Sequence, residues 1–235
     1  MTATDTTATL TSGPGDTTEE HIPARRALRA TAGAVLVAAP VLWGLGMWTS
    51  PSAAGTSDTD YVTSLGVDGT MTQVSALFLH YGNLFIGLGV LAAGCLLRGR
   101  RGSVLTVLGS VLTALGFTNM AGMLLSDWWN LSAVRNLPVE TAAKVFSGFK
   151  DSSLLFVWDG TEMFSLLGSV ILLAGLARAG VLGWWTIAVM VAGTAGLMFI
   201  PWDLPQLSAV AVLLGFSPFA MIGFRLLGRA RIGLG

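Results

Sequence analysis

Six long apolar stretches, at about 30–49, 74–97, 103–125, 152–177, 181–200 and 206–227, dominate the chain. A membrane-crossing helix needs roughly 20 apolar residues at about 1.5 Å of rise each. Each stretch approaches that length. Hydrocarbon offers no hydrogen-bond partner to a peptide group, so segments of this kind have to satisfy their own backbone, which a helix does. With 53% hydrophobic and only 11% charged residues among 235, there is too little charge to cover a water-soluble globule. The expected fold is all-α: a polytopic membrane protein with a six-transmembrane-helix bundle over residues 25–235 and short amphipathic helices in the outer loops.

The first stretch has a second reading. Arg25, Arg26 and Arg29 precede it and Ser52, Ala53 and Ala54 follow it, which is the outline of a signal peptide, and Arg25-Arg26-Ala27-Leu28 resembles a twin-arginine signal. An apolar run of about 19 residues, however, exceeds the roughly 7 to 15 of a signal core. It also carries Pro40 and Trp43. Retention as an anchor is expected.

Orientation follows Lys and Arg in the short flanking loops. Ten of the thirteen fall on one side (Arg25, Arg26, Arg29, Arg98, Arg100, Arg101, Arg178, Arg225, Arg229 and Arg231), against Arg135, Lys144 and Lys150 on the other. This predicts a multi-pass protein of the cell membrane with both termini cytoplasmic. An even number of spans fits.

Residues 1–24, rich in Thr, Ala and Gly with Asp16, Glu19 and Glu20, read as a disordered cytoplasmic tail that also holds His21. The connections at 98–102 and 178–180 are short, whereas those at about 50–73 and 126–151 far exceed the usual 2 to 8 residues between bundle helices. Elaboration therefore lies on the outer side, where binding sites tend to be built. In the second long loop Pro138 suits a first helical position. Val139, Ala142, Ala143 and Phe146 then repeat at the helical period, which predicts an amphipathic helix on the membrane surface. In the first, Asp58 or Asp60 caps a turn containing Tyr61, Val62 and Leu65.

Tryptophan prefers the boundary between lipid and water. Trp48, Trp128, Trp129, Trp158 and Trp202 mark an outer belt and Trp184 and Trp185 an inner one, leaving Trp43 in mid-span. Many of the 30 glycines lie within spans, where they permit close helix contact. A Gly-x6-Gly spacing shared by Gly87 to Gly94 and Gly168 to Gly175 is consistent with a duplicated hairpin.

Counting about 20 residues outward from each cytoplasmic end places His80, Asn83, Asn119, Asp159 and Glu162 in one layer near the outer boundary. Asp127, Trp158 and Asp203 belong just above it or at its edge. An unpaired charge in hydrocarbon is expensive, so this layer is the candidate site. Glu162, the deeper acid, is the candidate general acid, with Asp159 one turn away and His80 as its partners. Asn83, Asn119, Asp127, Trp158 and Asp203 are the candidate binding residues. The competing bland readings are hydrogen bonds between helices for the polar layer, an amino-terminal position for Asp159, and a cap on the sixth span for Asp203.

No cofactor and no metal site is expected. With His21 in the tail, a bis-histidine haem or histidine-rich zinc site is excluded. Met47, Met120, Met123, Met163 and Met198 would suit Cu(I) with His80 but form no motif. The single cysteine, Cys95, allows no intrachain disulfide.

The run from Leu79-His80-Tyr81-Gly82-Asn83 to Arg98-Gly99-Arg100-Arg101-Gly102, with arginine favoured over lysine, resembles small uncharacterised multi-pass membrane proteins of high-GC bacteria. The resemblance is compositional, covers most of the spanning region and implies no activity. Three functions fit the residues: a non-catalytic protein with an outward-facing polar pocket for a small molecule or lipid, an acid/base enzyme of cyclase or isomerase type acting on an isoprenoid or lipid, and a proton-coupled transporter. The expected partners are the bilayer and an amphiphilic ligand, with no nucleic acid. A partner subunit is left open.

Overall fold

The computed structural model describes residues 23–232, and all regular structure within them is helical. The tail expected at 1–24 lies outside the described residues except for its last two positions, which already belong to the first helix. In chain order the helices are α1 (Pro23–Thr49), α2 (Asp58–Val67), α3 (Gly69–Val90, continued by a 3₁₀ stretch at Leu91–Leu96), α4 (Ser103–Met123), α5 (Ser126–Asn136) and α6 (Val139–Lys150). They continue with α7 (Leu155–Asp159), α8 (Glu162–Arg178), α9 (Trp185–Phe199), α10 (Pro205–Gly215) and α11 (Ser217–Ile232).

Four helices are long and apolar enough to cross a membrane: α1, α3 with its 3₁₀ extension, α4 running on into α5, and α7 with α8. The pair α10 and α11, bent by 42°, makes a fifth if taken as one span. This marks the chain as membrane-embedded. The exposed side of α4 agrees, because Val104, Val107, Leu108, Val111 and Leu115 form an uninterrupted apolar stripe with 48–76% of their surface open. In water such a stripe would invite aggregation; in a bilayer it faces acyl chains.

The long helices pack in the spatial order α8, α4, α3, α1 and α11, with α10 also against α1 and α9 against α10. The most extensive contact is between α4 and α8. It is a glycine contact. A methyl group added at Gly109 would collide with the backbone at Ile171 and Leu172, one at Gly116 with that at Phe164 and Ser165, and one at Gly168 with Thr113. Lipid tails supply no hydrophobic force between helices, so close backbone approach has to supply the attraction by dispersion. Deeper in the bundle, Trp43 of α1 meets Phe216 edge-on at 5.3 Å, and Phe216 and Phe219 both stack edge-to-face on Phe117 of α4. These rings are the aromatic centre of the core.

Three stretches read as single spans are subdivided. The fourth breaks at Gly160 and Thr161, between α7 and α8. The sixth bends at Phe216, just before Pro218, whose ring clashes with a preceding carbonyl and cannot donate to it. The second ends in a 3₁₀ stretch. The fifth yields only the 15-residue α9. The two glycines of the repeated spacing in α3 are not equivalent to those in α8. Gly168 and Gly175 both press on the backbone of α4. Gly87 meets Thr118 and Ala114, and Gly94 faces open space, so the spacing marks no shared packing.

The short helices α2, α5 and α6 pack on one another at one end of the bundle and form a cap. There the α2 cap is Ser57, not an aspartate: its hydroxyl accepts from the Asp60 amide while the Asp60 carboxylate accepts from the Ser57 amide, a reciprocal capping box. In α6 Pro138 takes the cap position, one residue before the helix, and Ala142 and Ala143 are the buried face.

If glycine contact holds α4 to α8, Gly109→Ala and Gly116→Ala each lower unfolding free energy in detergent by roughly 1–3 kcal/mol. Gly122→Ala and Gly196→Ala, where the nearest atoms stand 3.6 and 3.5 Å from the new methyl, change it by less than about 0.5 kcal/mol. Equal effects at all four positions would refute the contact.

Candidate functional site

The polar layer resolves into three separate arrangements. In the first, the His80 ring Nδ1 lies 2.7 Å from the carbonyl of Ala121, tying α3 to α4. That geometry puts the proton on Nδ1. His80 therefore acts here as a donor between helices, spent on a backbone oxygen that the end of α4 leaves open. Asn83, one turn on, is fully buried and donates 2.8 Å to the Leu79 carbonyl of its own helix, while its Oδ1 has no partner among the described residues. Neither side chain is hydrogen-bonded to the acids.

The second arrangement is the break between α7 and α8. Asn119 of α4 donates through Nδ2 to the Trp158 carbonyl at 3.0 Å and to the Thr161 hydroxyl. Thr161 in turn donates 2.6 Å to the same carbonyl. An interrupted helix exposes carbonyls that lipid cannot satisfy, and irregular backbone at membrane depth persists only where protein supplies partners. Asn119 is one such partner, beside the Thr161 amide, which donates to the same carbonyl at 3.1 Å. Trp158 contributes its carbonyl to this knot, and its ring lies edge-on to Phe149 at 6.4 Å.

The break also changes the place of the two acids. Asp159 is the last residue of α7, at a carboxyl end and not near an amino terminus as expected, and it is exposed. Glu162 is the first residue of α8 and half-buried, so the helix dipole favours a carboxylate at Glu162 and not at Asp159. Asp159 is close enough to act on Glu162 through its charge. Among the described residues neither carboxyl group accepts a hydrogen bond or pairs with a cation.

The third arrangement is the cap, where sequence reasoning missed the most. Asp127 of α5 accepts a short hydrogen bond from the Tyr61 hydroxyl of α2. Tyr61 also stacks on Phe146 of α6 at 4.8 Å. Asp58 of α2 accepts from Lys150 and Ser147 of α6, each at 2.6 Å. Asp127 is therefore a structural acid joining two helices. Tyr61, Ser147 and Lys150 gave no signal in the sequence, because their partners are 66, 89 and 92 residues away. Asp203 stands exposed in its turn, and Leu204, not Asp203, holds the cap position of α10, where no side chain caps the helix. Pro205 at the first helical position removes one of the amide donors that an aspartate cap would have served.

Two recesses are lined by described residues. One, of about 440 Å³, lies at the cap end beside Trp48, Val67, Asp68 and Met71. The other, of about 860 Å³, is lined by Arg25, Arg29, Arg98 and Arg229. Neither is lined by His80, Asn119, Asp159 or Glu162. No family model matches the chain, and no curated protein or solved structure matches it either.

The two cap acids are held differently. The hydrogen bonds from Lys150 and Ser147 hold the Asp58 carboxyl below its ordinary range, so its stabilisation is present above that range and fades as pH falls through the lowered value. Asp127 has the Tyr61 hydroxyl as its donor. Asp127→Asn keeps an acceptor for Tyr61 and removes the buried charge, and is expected to hold or raise the melting temperature at pH 7. Tyr61→Phe strips Asp127 of its donor and lowers unfolding free energy by about 1 kcal/mol. A melting temperature that falls more for Asp127→Asn than for Tyr61→Phe would contradict this account.

Proposed function

We propose that the chain is a six-span protein of the cell membrane, with both termini cytoplasmic and the α2, α5 and α6 cap outside. In this reading it binds an amphiphilic small molecule or a lipid at Asp159 and Glu162. The charge distribution supports the orientation: every acid in the described residues lies at the cap end, in 58–68, 127–162 or at Asp203, while ten of thirteen cations lie at the other end. For six spans α9 has to cross as well. At about 1.5 Å per residue its 15 residues reach roughly 22 Å, short of the roughly 30 Å of hydrocarbon. Local thinning of the bilayer accommodates a mismatch of that kind.

One observation carries the binding reading. Of the polar layer, His80, Asn119 and Asp127 are committed to hydrogen bonds that hold helices together, whereas Asp159 and the half-buried Glu162 have carboxyl groups without such a bond among the described residues. An acid pair beside a helix break, at the depth where lipid headgroups meet hydrocarbon, suits an amphiphile that presents a cation or a hydrogen-bond donor. The enzyme reading draws on the same half-buried Glu162 as a general acid, but it loses His80 as an assisting base. Transport is disfavoured by the bundle interior. Thr106, Ser169 and Thr186 are buried and donate to carbonyls of their own helices or the adjoining turns, which leaves Ser110 as a lone buried hydroxyl without a partner among these four inner polar residues and too little for a relay towards the arginine end.

Orientation is tested by single cysteines in a Cys95→Ser background with a membrane-impermeant maleimide on intact cells. Lys144→Cys labels from outside and Arg100→Cys labels only after permeabilisation; the reverse pattern would invert the proposal. For the site, the amphiphiles that co-purify with the wild type are compared by mass spectrometry with those retained by Glu162→Gln and Asp159→Leu/Glu162→Leu. Retention by the first variant and loss by the double variant support binding. A bound species chemically altered by wild type and unaltered by Glu162→Gln would establish catalysis instead.

A further inference from the structure

The end of the bundle opposite the cap carries the recess of about 860 Å³, and four of the eight described residues that line it are arginines. They come from three separate parts of the chain: Arg25 and Arg29 from the start of α1, Arg98 from just past the 3₁₀ extension of α3, and Arg229 from the last turns of α11. Among the described residues lining it, none is acidic. Like charges gathered this way repel, and Arg229 lies near enough to Arg98 and Arg29 to feel both. The fold holds them there nonetheless. Arg229 is pinned by a 2.7 Å hydrogen bond from its Nη1 to the carbonyl of Cys95, a carbonyl in the 3₁₀ stretch.

The floor of the recess explains its openness. Gly94 lies in that stretch, and a methyl group there would meet nothing within 4 Å. Leu28 and Leu97 stand beside the cations, so the recess is cationic with an apolar flank. A general preference for arginine at one membrane face accounts for charge spread over helix ends, as at Arg100, Arg101, Arg178, Arg225 and Arg231. It does not account for four guanidinium groups lining one cavity. Basic pockets between membrane helices are suited to phosphorylated headgroups, because the guanidinium fork matches phosphate oxygens in pairs.

We propose that this recess is a binding site for a phosphate-bearing anion, held by Arg25, Arg29, Arg98 and Arg229 with Leu28 and Leu97 against its apolar part. The chemistry is shared by the headgroup of an anionic phospholipid and by a free phosphorylated compound. The site is independent of the acid pair at the cap end.

The test uses the full chain in nanodiscs of phosphatidylcholine alone, of phosphatidylcholine with one-fifth cardiolipin, and of phosphatidylcholine with inorganic pyrophosphate titrated in. Binding is read by native mass spectrometry and by the shift in melting temperature. Wild type retains cardiolipin or binds pyrophosphate, and which of the two arms responds identifies the source. Arg98→Gln/Arg229→Gln weakens that binding on the order of twentyfold, at roughly fivefold per arginine. Arg225→Gln/Arg231→Gln, which removes the same charge from positions outside the recess, changes it by less than about twofold. Because Arg229 also holds Cys95, the single variant Arg25→Gln at an exposed position serves as a second probe, with about a fivefold loss expected. Equal losses in the two double variants would reduce the effect to diffuse surface charge and overturn the proposal. So would a wild type that responds to neither cardiolipin nor pyrophosphate.

Discussion

The backbone-to-backbone approach of α4 and α8 is the constraint on which the rest of this bundle rests. Lipid surrounds the outer face of α4, so burial of apolar side chains cannot by itself select one neighbour over another. Gly109 and Gly116 on α4 and Gly168 and Gly175 on α8 remove side chains at successive turns along one seam. The two helices then approach until main-chain atoms touch. Ser169 and Thr113, both buried, sit in the same seam with their hydroxyl groups 3.4 Å apart. Once α8 is fixed in this way, the position of its first residue, Glu162, is fixed as well.

The same closeness explains the break above it. A straight continuation of α8 towards residue 155 has no glycine of α4 to lie against beyond Gly122, whose face is occupied only by the edge of Trp158 at 3.6 Å. The chain leaves the helix at Gly160 and Thr161, and Asn119 donates to the Trp158 carbonyl beside the Thr161 amide and hydroxyl, which fastens the break to α4. A hydrophobicity count sees one apolar run through residues 152–177. It is blind to a break that is held by an asparagine on another helix, some forty residues earlier in the chain.

That contrast sets what could be read from the sequence. The all-helical class, the long apolar helices and the helical content of both long connections follow from local properties: hydropathy, period and the composition of the turns. The bend before Pro218 was equally local and available to inspection. Counting along each span grouped His80, Asn119 and Glu162 at one expected level. Direction around the helix was not legible, because in a membrane span the apolar residues face both lipid and core and leave little periodic signal. So the sequence could list polar residues at one level without revealing that His80 turns to Ala121, Asn83 to its own helix and Asn119 to the α7 end. Tyr61 and Asp127 pair across the cap through tertiary packing alone.

Charge segregation ties the two ends together. Asp58, Asp127, Asp159 and Glu162 at the cap end and the arginines at the other make the molecule strongly polar along the bundle axis, although its net charge is zero. In the proposed orientation the cationic end would meet the anionic leaflet surface, which attracts each arginine near it by about 1 kcal/mol. Acids at that end would cancel the attraction, and within residues 23–232 there are none. The arginines of the recess therefore stand in a double relation to lipid. Their number biases orientation, a property of the whole end that any of the ten can serve. Their convergence around Gly94 is a property of three helices packed in one way, and it can serve only a ligand small enough to enter between them.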